Sequence, residues 1–163
     1  MIRKLKISDS QAIIDIYNQA IRSKFQTADT EEVSIEDKKA WLSSHLSDES
    51  PIYVFTINNK LVGWVSISPY RQGRKALRYT VEISYYIHTD HKRKGIATEL
   101  MKYAIEKCKE LGYKNLFAII LDKNTASVKL LKNFGFEQWG HMPMIADFDG
   151  EECGHVYYGL RIK

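Results

Sequence analysis

Residues 79–112 read as a long strand that passes through a short basic loop straight into a long helix. Residues 79–88 are rich in β-branched and aromatic side chains, residues 95–111 carry apolar positions at helical spacing, and Gly112 follows as a C-cap. No other feature constrains the fold as strongly, because the junction calls for a sheet with a helix packed against it. It constrains function as well. In His91-Lys92-Arg93-Lys94-Gly95-Ile96-Ala97-Thr98 the first N–H groups of the helix lack intrahelical partners, the helix dipole adds positive charge, and basic side chains add more. Such a turn holds a pyrophosphate, and Gly95 with the small Ala97 lets an anion approach the main chain. The same residues would also serve as a solvated basic turn or a nucleic-acid contact. The pattern GxxxxGK[ST] is absent, so a Walker loop is excluded.

Residues 2–7 alternate apolar and basic side chains as an edge strand does. Ser8-Asp9-Ser10 then offers caps for a helix that carries Ile13, Ile16, Tyr17, Ala20 and Ile21. Ser34-Ile35-Glu36-Asp37 resembles a capping box and predicts a second helix to about His45, after a polar connector over residues 25–33. Residues 52–57 and 61–67 flank Asn58-Asn59-Lys60 as a hairpin, and a basic loop over 69–78 leads to the long strand. Residues 116–121 predict a strand and 127–133 a short helix, and two last β segments flank the turn signal Asp149-Gly150. The order β-α-α-β-β-β-α-β-α-β-β is that of an α/β (α+β) sandwich, with one mixed sheet and helices on both faces.

With 163 residues the chain fits a single domain, 1–163. Hydrophobic residues at 44% and charged residues at 27% exclude a disordered or fibrous chain. The net charge of +4 suits an anionic small molecule as readily as a nucleic acid. No apolar run approaches the roughly 18 residues of a membrane span and the first residues lack the apolar core of a leader peptide, so a soluble, cytoplasmic protein is expected. Cys108 and Cys153 stand alone without CxxC or Cys/His clustering, which predicts free thiols and no metal site. The tyrosines and tryptophans are scattered and read as core filling. Met142 and Met144, around Pro143, read the same way, with a wall of an acceptor cleft as the alternative.

Lys92-Arg93-Lys94-Gly95-Ile96-Ala97 resembles the [QR]-x-x-G-x-[GA] loop of the GNAT family of acetyl-CoA-dependent N-acetyltransferases, with Lys in the first place. Asn124-Thr125-Ala126-Ser127, followed by Asn133-Phe134-Gly135-Phe136, resembles the family's second signature. Ile16-Tyr17-Asn18, Thr27-Ala28-Asp29-Thr30-Glu31, Thr80-Val81-Glu82 and the stretch from Trp139-Gly140 to Asp149-Gly150 are similar to the phosphinothricin and methionine sulfoximine acetyltransferase branch.

The resemblance implies a mostly antiparallel sheet with a V-shaped opening beside the long strand, and acetyl-CoA as cosubstrate without a metal. Tyr85, Tyr86 and Ile87 would meet the pantetheine arm by strand addition, with Asn124 and Ser127 contributing. Lys92, Arg93, Lys94, Gly95, Ile96, Ala97 and Thr98 would hold the pyrophosphate. Glu82 becomes the candidate general base for the amine; read without the resemblance, it is an exposed strand carboxylate or a partner of Arg78. The family's tyrosine acid is replaced by Leu131, which leaves Tyr86, a water or no acid at all. Arg71, Arg74 and Lys75 are candidates for a substrate carboxylate, or else a basic surface loop, and His155 is a second base or a structural residue. The implied activity is direct acetyl transfer to the α-amino group of a small amino acid or analogue. Alternatives are a peptide N-terminus or polyamine acceptor, or a non-catalytic acetyl-CoA-binding or nucleic-acid-binding module. A homodimer through the C-terminal β segments is expected by the same resemblance, with no nucleic-acid or membrane partner.

Overall fold

In the computed structural model, which describes residues 1–163, the chain forms β1 (Ile2–Lys4), α1 (Ser10–Arg22), α2 (Lys39–Ser44), β2 (Ile52–Ile57), β3 (Lys60–Pro69) and β4 (Thr80–Ile87). There follow α3 (Ile96–Glu110), β5 (Asn115–Leu121), α4 (Thr125–Asn133), β6 (Glu137–Phe148) and β7 (Glu151–Arg161). One seven-stranded sheet has the order β1-β2-β3-β4-β5-β7-β6. Every neighbouring pair is antiparallel except β4 with β5, which is parallel. Both hairpin turns use residues that tolerate left-handed backbone, Asn58 and Asn59 at φ 48° and 63°, then Asp149 and Gly150 at 56° and 92°. That geometry matches the twist of the strands it joins.

Alternation along the central strands sorts side chains to the two faces. On one face, Ile13, Ile14 and Ile16 of α1 and Leu42 of α2 bury against Ile52, Val54 and Trp64. On the other, α3 buries Ile96, Leu100, Met101, Ala104, Ile105 and Cys108 against Val65, Ile67, Val81, Ile83, Leu116 and Ala118. Leu131 of α4 and Phe136 close the far end of this second core.

Three local expectations are revised. Ser34 and Asp37 do exchange the hydrogen bonds of a box, Asp37 N–H donating to Ser34 Oγ at 3.1 Å and Ser34 N–H to Asp37 Oδ2 at 2.7 Å. They close a turn instead of opening a regular helix: Lys38 N–H is shared between Ser34 and Ile35 C=O, Lys39 bonds back three residues to Glu36, and α2 starts only at Lys39. The Asp9 carboxylate makes no side-chain cap for α1; it takes the Arg3 guanidinium at 2.7 and 2.9 Å, which ties β1 to the helix and holds Asp9 below the usual carboxylate range. Met142 and Met144 are exposed and line neither of the two main cavities, because β6 is an edge strand with no strand on its outer side and bulges between Met142 and Ala146.

Candidate active site

Strands β4 and β5 stay paired for three residues only, Thr80 with Asn115, Val81 with Leu116 and Glu82 with Phe117. Beyond that point they part, and a groove of about 330 Å³ opens between them. On the opposite face of β4, beneath α1 and α2, lies a second cavity of about 220 Å³. Ser84 and Tyr86 line both, so β4 is their common wall.

The groove carries two sets of donors. Along β4 the even-numbered residues bond to β3, as His88 N–H to Val62 C=O at 2.8 Å and Tyr70 N–H to Thr80 C=O at 3.0 Å show. The main-chain groups of Tyr85 and Ile87 therefore face the opening. At the mouth, Gly95 at φ 80° precedes α3, and Arg93 at φ 59° turns the loop before it. Two left-handed residues so close together point successive N–H groups to one side, next to the free N–H groups of the helix start. A Cβ on Gly95 would touch nothing in the protein and would project into open space. Gln19 Oε1 of α1 steadies the loop by accepting from Thr89 N–H at 2.9 Å and Thr89 Oγ at 3.0 Å.

Tyr85, Tyr86, Ile87, Lys92, Arg93, Gly95, Ile96, Ala97, Thr98, Asn124 and Ser127 all line the groove. Lys94 does not; its ammonium donates to Asp90 C=O at 2.8 Å. Asn124 also caps α4, its Oδ1 accepting from Ser127 N–H at 3.2 Å. His91, the first residue of the basic turn, lines the groove too; sequence reasoning missed Gln26 and the β5 wall of Ala118, Ile119 and Ile120, which no motif marks. Two polar atoms of the wall, the Tyr85 hydroxyl and His91 Nδ1, are buried without a hydrogen-bond partner. Burial pushes the Tyr85 phenol up to about 12, so it is a neutral donor at physiological pH.

The second cavity is an aromatic box. Trp64 lies 5.7 Å from Trp41 and 4.8 Å from Tyr86, and Tyr17 meets Tyr86 edge-on at 5.1 Å, so these four rings build a site as well as a core. Tyr17 is fixed by hydrogen bonds to Thr27 and Asp29, which folds the polar connector over the box. Two charged residues line it, Glu82 and Lys38. The Glu82 carboxylate has no hydrogen bond or ion pair, and burial alone raises it above the ordinary glutamate range. Arg78 is engaged elsewhere, 4.4 Å over the Tyr79 ring and donating to Lys75 C=O at 2.8 Å. Lys38, which sequence reasoning also missed, sits 3.6 Å from Asp29. Arg71, Arg74 and Lys75 are exposed and line neither cavity, as does His155, which sits in β7 opposite Leu121. Leu131 is wholly buried in the core, so that position offers no proton donor.

Comparison with known proteins agrees with this geometry. The family model described as Acetyltransferase (GNAT) family matches residues 11–136. YwnH of Bacillus subtilis (strain 168), named provisionally as a phosphinothricin acetyltransferase, is 36% identical over 162 residues, 99% of this chain and 95% of its own. The L-methionine sulfoximine/L-methionine sulfone acetyltransferase of Pseudomonas aeruginosa PAO1 is 29% identical over 162 residues, 99% of this chain and 94% of its own. The structure of yncA from Salmonella typhimurium with its cofactor acetyl-CoA superposes with a TM-score of 0.92 at 27% identity, covering 100% of this chain and 94% of that one.

The chain belongs to the GNAT family of acetyltransferases. Within it, the protein is an acetyl-CoA-dependent N-acetyltransferase. The groove fits that cosubstrate: free strand amides for a pantetheine arm, a glycine cradle for a pyrophosphate and unpartnered buried donors in the wall. No helix is long and apolar enough to cross a membrane.

Replacing Gly95 with Ala puts a methyl group into the open cradle and into left-handed backbone that costs an alanine about 1–2 kcal/mol. The expected outcome is a KM for acetyl-CoA raised about tenfold or more, with a modest fall in Tm, measured by steady-state kinetics and thermal melting.

Proposed function

We propose that this protein transfers the acetyl group of acetyl-CoA directly to the α-amino group of a small amino acid or analogue of the phosphinothricin or methionine sulfoximine kind, with Glu82 as general base. The observation that carries this reading is a carboxylate without a partner, raised by burial, in a cavity that shares a strand with the cosubstrate groove. Acetyl-CoA supplies an activated thioester. An amine with a pKa of about 8–10 arrives protonated, passes one proton to Glu82, and attacks the acyl carbon with the freed lone pair; the tetrahedral intermediate expels the CoA thiolate, and the second proton shed by the nitrogen balances the one the thiolate takes up. Strand N–H groups near Tyr85 polarise the acyl oxygen in this reading. Tyr86, whose phenol burial pushes up to about 12, or a water returns a proton to the thiolate.

Acceptor size and charge favour an amino acid over a peptide or polyamine. The box is small and carries one cation and one carboxylate, so a zwitterion sets its amine at Glu82 and its acid at Lys38. We keep Arg71, Arg74 and Lys75 as a second cationic set that an incoming carboxylate meets on the β3–β4 loop. Residues 1–163 act as one N-acetyltransferase domain in the cytoplasm, where acetyl-CoA is made and thiols such as buried Cys108 and Cys153 stay reduced. The exposed Trp139, Met142, Met144 and Ile145 of edge strand β6 are the surface proposed for a homodimer.

Release of CoA thiol is expected with methionine sulfoximine, methionine sulfone or phosphinothricin, and not with polyamines or short peptides; the reverse preference overturns the acceptor assignment. Glu82→Gln should lower kcat by about 10²–10⁴ while acetyl-CoA affinity stays within about twofold. The same change should raise Tm at neutral pH. A raised folded-state pKa means that native stability is lost as pH climbs through it, and Gln avoids that loss; the gain should vanish in acid, where Glu82 is itself neutral. Undiminished kcat would remove Glu82 from the mechanism. Light scattering should give twice the chain mass, and Ile145→Lys should return the mass of one chain; a wild-type monomer rules the dimer out.

A further inference from the structure

His45 is the most deeply buried ionisable side chain beside the acceptor box, 4% exposed and edge-on to the Trp41 ring at 4.6 Å. Its two ring nitrogens have different partners. Nδ1 lies 2.6 Å from Ser50 C=O, and Nε2 lies 3.4 Å from Ser68 Oγ. A carbonyl only accepts, so Nδ1 carries the hydrogen. Burial disfavours the imidazolium, which leaves Nε2 as a bare acceptor. The Ser68 hydroxyl must then donate to Nε2, and both of its lone pairs remain free.

Those lone pairs belong to a residue that lines the acceptor box. Ser68 of β3 stands in register with Glu82 of β4, so the two side chains are neighbours on one face of the sheet. No other hydrogen bond restrains the Ser68 hydroxyl. Left to rotate, it would serve equally as donor or acceptor, and as a donor it would satisfy the Glu82 carboxylate and blunt it as a base.

We propose that His45 locks Ser68 as a hydrogen-bond acceptor, and that Ser68 and Glu82 together grip the substrate amine, Ser68 as a contact residue and His45 as its positioning residue. This rests on the reading of the box as the acceptor site. A protonated amine brings several N–H donors: one proton passes to Glu82, a second N–H stays on Ser68 Oγ, and the lone pair left behind is aimed at the acyl carbon. Two acceptors side by side also select for an amine and against an alcohol, which has one hydrogen to give.

The test is a double-mutant cycle in the full-length enzyme with L-methionine sulfoximine as acceptor. Ser68→Ala should raise the acceptor KM about tenfold and leave the acetyl-CoA KM within about twofold, and Ser68→Thr, which keeps the hydroxyl, should restore most of the loss. His45→Phe should have a similar effect in the wild-type background and almost none when Ser68 is already Ala. Multiplicative effects in the double variant would show that His45 acts through general stability and would overturn the proposal. So would wild-type kinetics in Ser68→Ala. Should His45→Phe fail to fold, the contrast between Ala and Thr at position 68 still decides the serine's part. A wild-type enzyme with no turnover of any amino-acid analogue would instead sink the underlying acceptor reading.

Discussion

Parallel strands β4 and β5 hold together over Thr80–Glu82 and then separate, and nearly everything functional follows from that separation. A fully paired sheet would bond every amide of β4 on both sides and leave no way in from the edge. Here the strand beyond the Glu82–Phe117 pair runs beside β3 alone, so one side of it stays available inside the protein. The vertex of the split falls at Glu82, which puts the candidate base where the groove ends and the acceptor box begins. Helices α3 and α4 hold the split open from one face, packing Leu100, Met101 and Leu131 into the core that flanks it.

Charge placement within the box runs against stability. An unpartnered buried carboxylate is costly, and proteins ordinarily pair such a group with a cation. This one has Lys38 in the same cavity, yet Lys38 leans toward Asp29 instead. The arrangement keeps Glu82 basic, and it leaves the cation on the connector side, away from the base. Aromatic walls sharpen both effects, since the rings of Tyr17, Trp41, Trp64 and Tyr86 exclude water and lower the local dielectric.

Features written in contiguous residues were legible in the sequence. The strand–loop–helix unit around Gly95, the Asn58-Asn59 and Asp149-Gly150 turns and the cap at Asn124 each depend on a few neighbouring side chains, and each stands where the pattern put it. The acceptor box was not legible, because Tyr17, Lys38 with Trp41, Ser68 and Glu82 come from four segments that only the tertiary fold brings together. Hence the basic loop with Arg71, Arg74 and Lys75 drew attention by its composition, while Lys38, one lysine among many, did not. The box at Ser34–Asp37 shows the opposite limit: its hydrogen bonds formed as expected, but they ended a tight turn, and nothing local distinguishes the two uses.

A sheet that is unpaired along its central seam is completed by the molecule it consumes. An extended arm lying in the groove would supply the bonding partner that β5 withholds and so join the β1–β4 half to the β5–β7 half. Ligand that binds only the folded chain adds stability as RT ln(1 + [L]/Kd), about 2.7 kcal/mol at a hundredfold excess over Kd. The stability of the folded chain is therefore coupled to the concentration of its acyl donor, through the ratio of that concentration to Kd.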